Sequence, residues 1–82
     1  MTHDLIAIHV PNRSEQALAV QEVLTKNGAA IKTRLGLHDA EHNSGVIVLE
    51  LLPARATAEF VATLQKELAA VGAEVQHVSF KH

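Results

Sequence analysis

The densest group of chemistry-bearing residues lies in the stretch LGLHDAEHNSG, Leu35 to Gly45. Within it, His38, Asp39, Ala40, Glu41 and His42 spell H-x-x-E-H, the inverted pattern of zinc peptidases. That chemistry needs a helix, so that the two histidines at i and i+4 share a face and the glutamate can act as base. Here the motif lies between two strand-like patterns, flanked by Gly36 and by Asn43-Ser44-Gly45, which is the composition of a β-hairpin connection. A catalytic zinc would also require a third protein ligand and a cleft. Two readings stand: a solvated polar hairpin, or a noncatalytic site for a divalent transition metal such as Ni or Zn. In the second, His38 and His42 are the principal ligands, with Asp39, Glu41 and a subunit-bridging His77 as auxiliaries.

The remaining polar residues give weaker signals. Lys32 and Arg34, two apart, form a basic row on one side of a strand. Such a row suits an anionic effector, a pair with Glu50, or simple charge protection of an edge. His9 caps the end of an apolar strand, and His3 and His82 sit at frayed ends. Alternation with Val78 and Phe80 in the core puts His77 on the open side of its strand, which is the expectation, whereas an internal sequence repeat pairs it with Thr33 on the core parity. Ser14 and Ser44 have no His–Asp relay in sequence, and no phosphate-cradling glycine loop occurs, so nucleophilic and phosphoryl-transfer chemistry find no support.

These residues must be positioned by one small domain, residues 1–82. A chain of this size buries only about 60–65% of its unfolded surface, so its core is thin and self-association would help it. With no cysteine there are no disulfide staples and no thiolate ligands. The formal charge of −2 and the absence of Trp and Tyr argue against nucleic-acid binding, which relies on cations and stacking. The N-terminal MTHDLIAIHV has no basic segment like that of a signal peptide, and no apolar run approaches the roughly 18 residues of a membrane span. A soluble, cytoplasmic protein is the expectation.

Leu5 to Val10 reads as a short strand ended by Pro11-Asn12. Asn12 and Glu15 have the spacing of a capping box, so the pattern predicts a helix from Arg13 to Asn27, closed by Gly28 with positive φ. Ile31, Thr33, Leu35 and Leu37 alternate with polar residues as the buried side of a second strand. Val46 to Leu52 has the apolarity of a central strand. Pro53 opens a helix over Ala54 to Val71 whose stripe is Phe60, Val61, Leu64, Leu68 and Val71. Gly72, also expected at positive φ, ends it, and Val75 to Phe80 is the last strand.

The order is βαββαβ, and Val20-x3-Leu24-x3-Gly28-Ala29 recurs as Leu64-x3-Leu68-x3-Gly72-Ala73, 44 residues later. Two split βαβ units of this kind make an α+β ferredoxin-like sandwich: a four-stranded antiparallel sheet, both helices on one face, first and third strands central. The other face would then be bare. A wet face calls for alternation, yet Leu5-Ile6-Ala7-Ile8 and Val46-Ile47-Val48-Leu49 are apolar on both parities. That predicts a covered face and hence a homo-oligomer, dimer or tetramer, with Val46 on the open side and Ile47 inward.

With these elements placed, the sequence resembles the small ACT-like family assigned to regulation of the iron-only hydrogenase system. The resemblance runs through the polar turn of IAIHVPNRSEQ, the I-x-x-R-x-G of Ile31, Arg34 and Gly36, the strand GVIVLEL, the helix ATLQKEL and the closing GAEVQHVSFK. Ala73 departs from the valine common in the family. The resemblance implies a ferredoxin-like fold, self-association and a non-enzymatic, ligand-sensing regulatory role. A more distant resemblance is to the effector domain of nickel-responsive repressors. His38 and His42 lie in its metal-binding region, but Ser44 or Gly45 replaces its cysteine and no DNA-binding segment is present. Two alternatives are a peptide-binding assembly chaperone for a cofactor enzyme and a small histidine-based metalloprotein.

Overall fold

The computed structural model describes residues 2–39 and 41–81. Its elements are β1 (Thr2–Val10), α1 (Arg13–Lys26), β2 (Ile31–Asp39), β3 (Ser44–Leu51), α2 (Ala58–Ala70) and β4 (Glu74–Lys81). Short 3-10 turns at Gly28–Ala30 and Pro53–Arg55 follow α1 and precede α2. All neighbouring strands are antiparallel and the sheet order is β2-β3-β1-β4, with β1 and β3 central. This is the ferredoxin-like sandwich expected from the βαββαβ order.

The core lies on one side of the sheet. Ile6, Ile8 and Val10 of β1 and Leu49 and Leu51 of β3 pack with Val20 and Leu24 of α1 and Val61, Leu64 and Leu68 of α2. The repeated Val20/Leu64 and Leu24/Leu68 positions are all buried, so the duplicated stripe does the same work in both halves. Each buried aliphatic side chain of this kind contributes about 1.5–3 kcal/mol.

The end of α2 is as expected, whereas the end of α1 and both helix starts depart from expectation. Gly72 has φ +87°, and the amides of Gly72 and Ala73 donate to the carbonyls of Ala69 and Leu68 (3.0 and 3.1 Å). This double bond pattern is a Schellman closure. Gly28 does not repeat it: its φ is not positive, and it begins a 3-10 turn after Asn27, whose amide side chain donates to the Val23 carbonyl at 2.8 Å. The capping box is not formed either. Asn12 uses its backbone N–H on Gln16 Oε1 (2.9 Å) rather than Glu15, and its side chain caps nothing in α1. Pro53 opens a 3-10 turn instead of α2; the helix starts later, where the Thr57 hydroxyl accepts from the Phe60 amide at 3.0 Å.

The largest correction concerns the edge strands. Ile31 pairs with Leu51 but Thr33 pairs with Glu50, so one extra residue, Lys32, forms a β-bulge. Beyond it the parity of β2 is inverted. Thr33, Leu35 and Leu37 fall on the open face, and Arg34, Gly36 and His38 face the helices. In β4, Val78 and Phe80 also lie on the open face, while His77, paired with the buried Ile6, takes the helix side. The open-face placement expected for His77 is therefore overturned. Val75, on the same side, packs against the core, and His77 meets Asp4.

Directly opposed residues share a face, so the open face can be read in rows from β2 to β4. Leu37, Val46, His9 and Glu74 form one row, followed by Leu35, Val48, Ala7 and Gln76, then Thr33, Glu50, Leu5 and Val78, with His3 and Phe80 beyond. The apolar members make a diagonal band from Leu37 to Phe80.

Candidate functional site

The HDAEH segment forms a hairpin connection. His38 and Asp39 end β2, residues 41–43 turn, and Asp39 pairs with Ser44; Ala40 lies outside the described residues. Asn43 supplies the left-handed residue (φ 50°), and it also ties the hairpin to α1. Its carbonyl accepts from the Arg13 amide (2.8 Å), its Oδ1 from the Ser14 amide (3.1 Å), and its Nδ2 donates to Asn12 Oδ1 (2.9 Å). The first turn of α1 is thus capped from across the sheet. The sequence signal for this tie was the Asn43-Ser44-Gly45 turn itself, which says nothing of its target.

Candidate metal ligands come together only in part. One ligand atom from each of Asp39, Glu41 and His42 lies within 4.8 Å of the others, all three residues being exposed, and His38 is not in the group. His42 Nδ1 is 2.6 Å from Asp39 Oδ2, and this hydrogen bond holds the Asp39 carboxyl below its ordinary pKa. His38, next to Asp39 in β2, lies on the other face of the sheet, toward α1. His77 is more distant still: its Nε2 lies 2.9 Å from Oδ1 of the buried Asp4. That hydrogen bond is the main cause lowering the Asp4 pKa, against the opposing effect of burial.

The two remaining described histidines are ordered on the open face. His3 Nδ1 is 3.0 Å from Glu50 Oε2, and His9 Nδ1 is 2.6 Å from Glu74 Oε1. His3 is therefore a sheet residue, not a frayed end; His82 lies outside the described residues. The His3 hydrogen bond is the chief cause of a lowered Glu50 pKa, with Lys32 adding a smaller attraction from 4.0 Å. The two His–Glu pairs flank the apolar band at opposite corners. Along the band Leu35, Leu37, Val78 and Phe80 are each 42–59% exposed.

Lys32 and Arg34 do not form a row. The bulge sends Lys32 toward Glu50 on the open face, while the Arg34 guanidinium donates to Gln21 Oε1 of α1. Gln21, so engaged, lines one end of a groove of about 200 Å³ between α1 and the hairpin base; Arg34 is not itself a lining residue. Val10, Val20 and Ile47 line its bottom, and Arg13 and His38 flank its other end.

No protein-family model and no curated protein sequence matches this chain. Solved structures do resemble it. An uncharacterized protein, TM1266 from Thermotoga maritima, is 24% identical over 99% of this chain and 100% of its own, with a TM-score of 0.84. A formyltetrahydrofolate deformylase from Pseudomonas putida is 16% identical, covering 98% of this chain and 30% of its own (TM-score 0.67). The regulatory subunit of aspartate kinase from Thermus thermophilus is 18% identical, over 94% of this chain and 50% of its own (TM-score 0.61). The chain thus spans a third to a half of those two larger proteins. At these identities the likeness establishes the fold alone, a ferredoxin-like βαββαβ sandwich.

Proposed function

We propose that the chain is a non-enzymatic regulatory module that self-associates through its open sheet face and senses a small ligand. The observation that carries this reading is the diagonal band of Leu37, Leu35, Val46, Val48, Ala7, Leu5, Val78 and Phe80 on a face no helix covers. A contiguous apolar surface of this kind marks an interaction site. A second copy is the occupant that fits best, because a band with a His–Glu pair at each of two opposite corners matches itself under a two-fold rotation. A role in hydrogenase or metal regulation is the setting suggested by the sequence resemblance.

Sedimentation of the wild type at micromolar concentration should give at least twice the monomer mass, and Val46→Lys should return a folded monomer. A wild type that sediments as a monomer would reject self-association. If such a monomer retained an extended peptide on the same face, the assembly-chaperone reading would replace ours.

A further inference from the structure

Helix α1 and strand β2 meet through matched triplets. Along α1, Arg13, Ala17 and Gln21 recur every fourth residue on one ridge; along β2, the inverted parity brings Arg34, Gly36 and His38 to the facing side. The small members, Ala17 and Gly36, are central in both triplets, so the hollow opens between them. Gln21, held by Arg34, borders one end, and Arg13 and His38 border the other. Gly45 borders the second end: a Cβ there would make ordinary contacts with Arg13 Cδ (3.7 Å) and His38 Cβ (3.9 Å) and a tight one with the Leu37 carbonyl oxygen (3.3 Å). At Gly36 an added Cβ would meet nothing within 4 Å, so packing does not require a glycine there.

The one formally charged side chain among the described residues lining the hollow is the cation Arg13, and the Arg34 guanidinium is bonded to the lining residue Gln21. Among the described residues, Arg13, Arg34 and His38 form no ion pair, although the chain as a whole carries a formal charge of −2. No side-chain carboxylate of the described residues lines the groove, and its bottom is aliphatic. The backbone N–H groups at the start of α1 are already taken by Asn43 and Asn12, leaving side chains to meet an anion. The volume is that of about six or seven waters, which suits a small metabolite and no more.

We infer that this groove binds a small aliphatic carboxylate lacking an ammonium group, its carboxylate on the Arg13 guanidinium and its tail over Val10, Val20 and Ile47 between Ala17 and Gly36. Arginine offers a carboxylate two parallel hydrogen bonds. An α-amino acid is disfavoured because its ammonium would lie near the Arg13 cation with no carboxylate in the lining to offset the repulsion. The inference rests on the sensing half of the function proposed above and is independent of the assembly half.

Amide-resolved NMR titration of the intact chain with isovalerate and 2-oxoisovalerate tests it, with isovaleramide and L-valine as comparisons. Saturable shifts centred on Ala17, Gly36 and Gly45 are expected with both carboxylates. The amide and the amino acid should each bind at least about tenfold more weakly, the scale of losing one charge-assisted contact. Arg13→Gln should weaken the carboxylates to a similar degree. Gly36→Val, which has room to fold, should abolish the shifts by filling the hollow. No saturable shift with either carboxylate, shifts centred elsewhere, or equal titration of Gly36→Val and wild type would overturn the inference. A monomer that titrates as described would reject assembly alone, and a dimer that does not titrate would reject the groove alone.

Discussion

Replacing Leu35 by lysine separates two accounts of β2. If the regular alternation of Ile31, Thr33, Leu35 and Leu37 continued into the core, Leu35→Lys would bury an unpaired ammonium, at a cost of several kcal/mol. A domain of this length is stable by only about 4–12 kcal/mol, so that substitution would unfold much of the population. With the bulge at Lys32, Leu35 sits on the open face and is 55% exposed. Less than half of its full burial value of about 1.5–3 kcal/mol is then at stake within one chain, or about 1 kcal/mol. For a domain of this size that amounts to a melting-point drop of roughly 4–8 °C. Leu49→Lys serves as the control, since Leu49 is fully buried and should lose the fold. Circular dichroism melts run beside sedimentation should show Leu35→Lys folded, slightly less stable and monomeric. A collapse as severe as that of Leu49→Lys would refute the inverted parity and with it the extent of the open face.

Gly28→Ala should be neutral or stabilising by about 0.5 kcal/mol, since its φ is ordinary and its surroundings empty. Gly72→Ala should cost more than about 1 kcal/mol, combining left-handed strain with displacement of the Gln16 side chain, whose Nε2 occupies the space of the added Cβ; denaturant unfolding of both variants measures the difference. The lowered pKa of Asp4 means that its partners stabilise the fold above the unfolded value of about 3.9 and that this contribution is lost as pH falls through the lowered folded value. Asp4→Asn should therefore be less stable at neutral pH and show a shallower acid decline in melts over the same range. A nickel or zinc ion taken up by the hairpin should need His42 and not His38, and should be released in acid, because a ligating imidazole must be unprotonated. Calorimetric isotherms of His42→Ala identical to wild type would remove that site.

The order of elements, the central position of β1 and β3 and the buried stripe of each helix were all legible in the sequence, because each depends on periodicity within one element. The open side of β3 was legible for the same reason, as Val46, Val48 and Glu50 alternate with Ile47, Leu49 and Leu51. The facing of β2 was not. A single inserted residue shifts every later side chain to the other face, and Lys32 has no chemistry that distinguishes it from an ordinary strand residue. In β4 both parities carry apolar side chains, Val75 against Val78 and Phe80, so only the pairing of His77 with Asp4 decides between them. The two helix ends share the pattern Leu-x3-Gly-Ala and behave differently, since tertiary packing sets the path of the chain beyond each glycine. The candidate metal group was half legible, with His42, Asp39 and Glu41 adjacent in sequence and His38 excluded by the direction of its strand. The groove was invisible because Ala17 and Gly36 meet only after folding.

The sheet order also constrains when this protein can fold. β1 is made first, yet both of its neighbours come later: β3 ends at Leu51, and the partner of Thr2 is Lys81. During synthesis the segment from Leu5 to Val10 must wait with one pairing edge open until β3 has emerged and with the other open until β4 has emerged. Closing such long loops before any contact rewards them slows folding, and an unpaired apolar strand invites pairing with other chains. A nascent chain halted before β4 should therefore be a client for chaperones, and refolding in vitro should give higher yields from dilute than from concentrated solution.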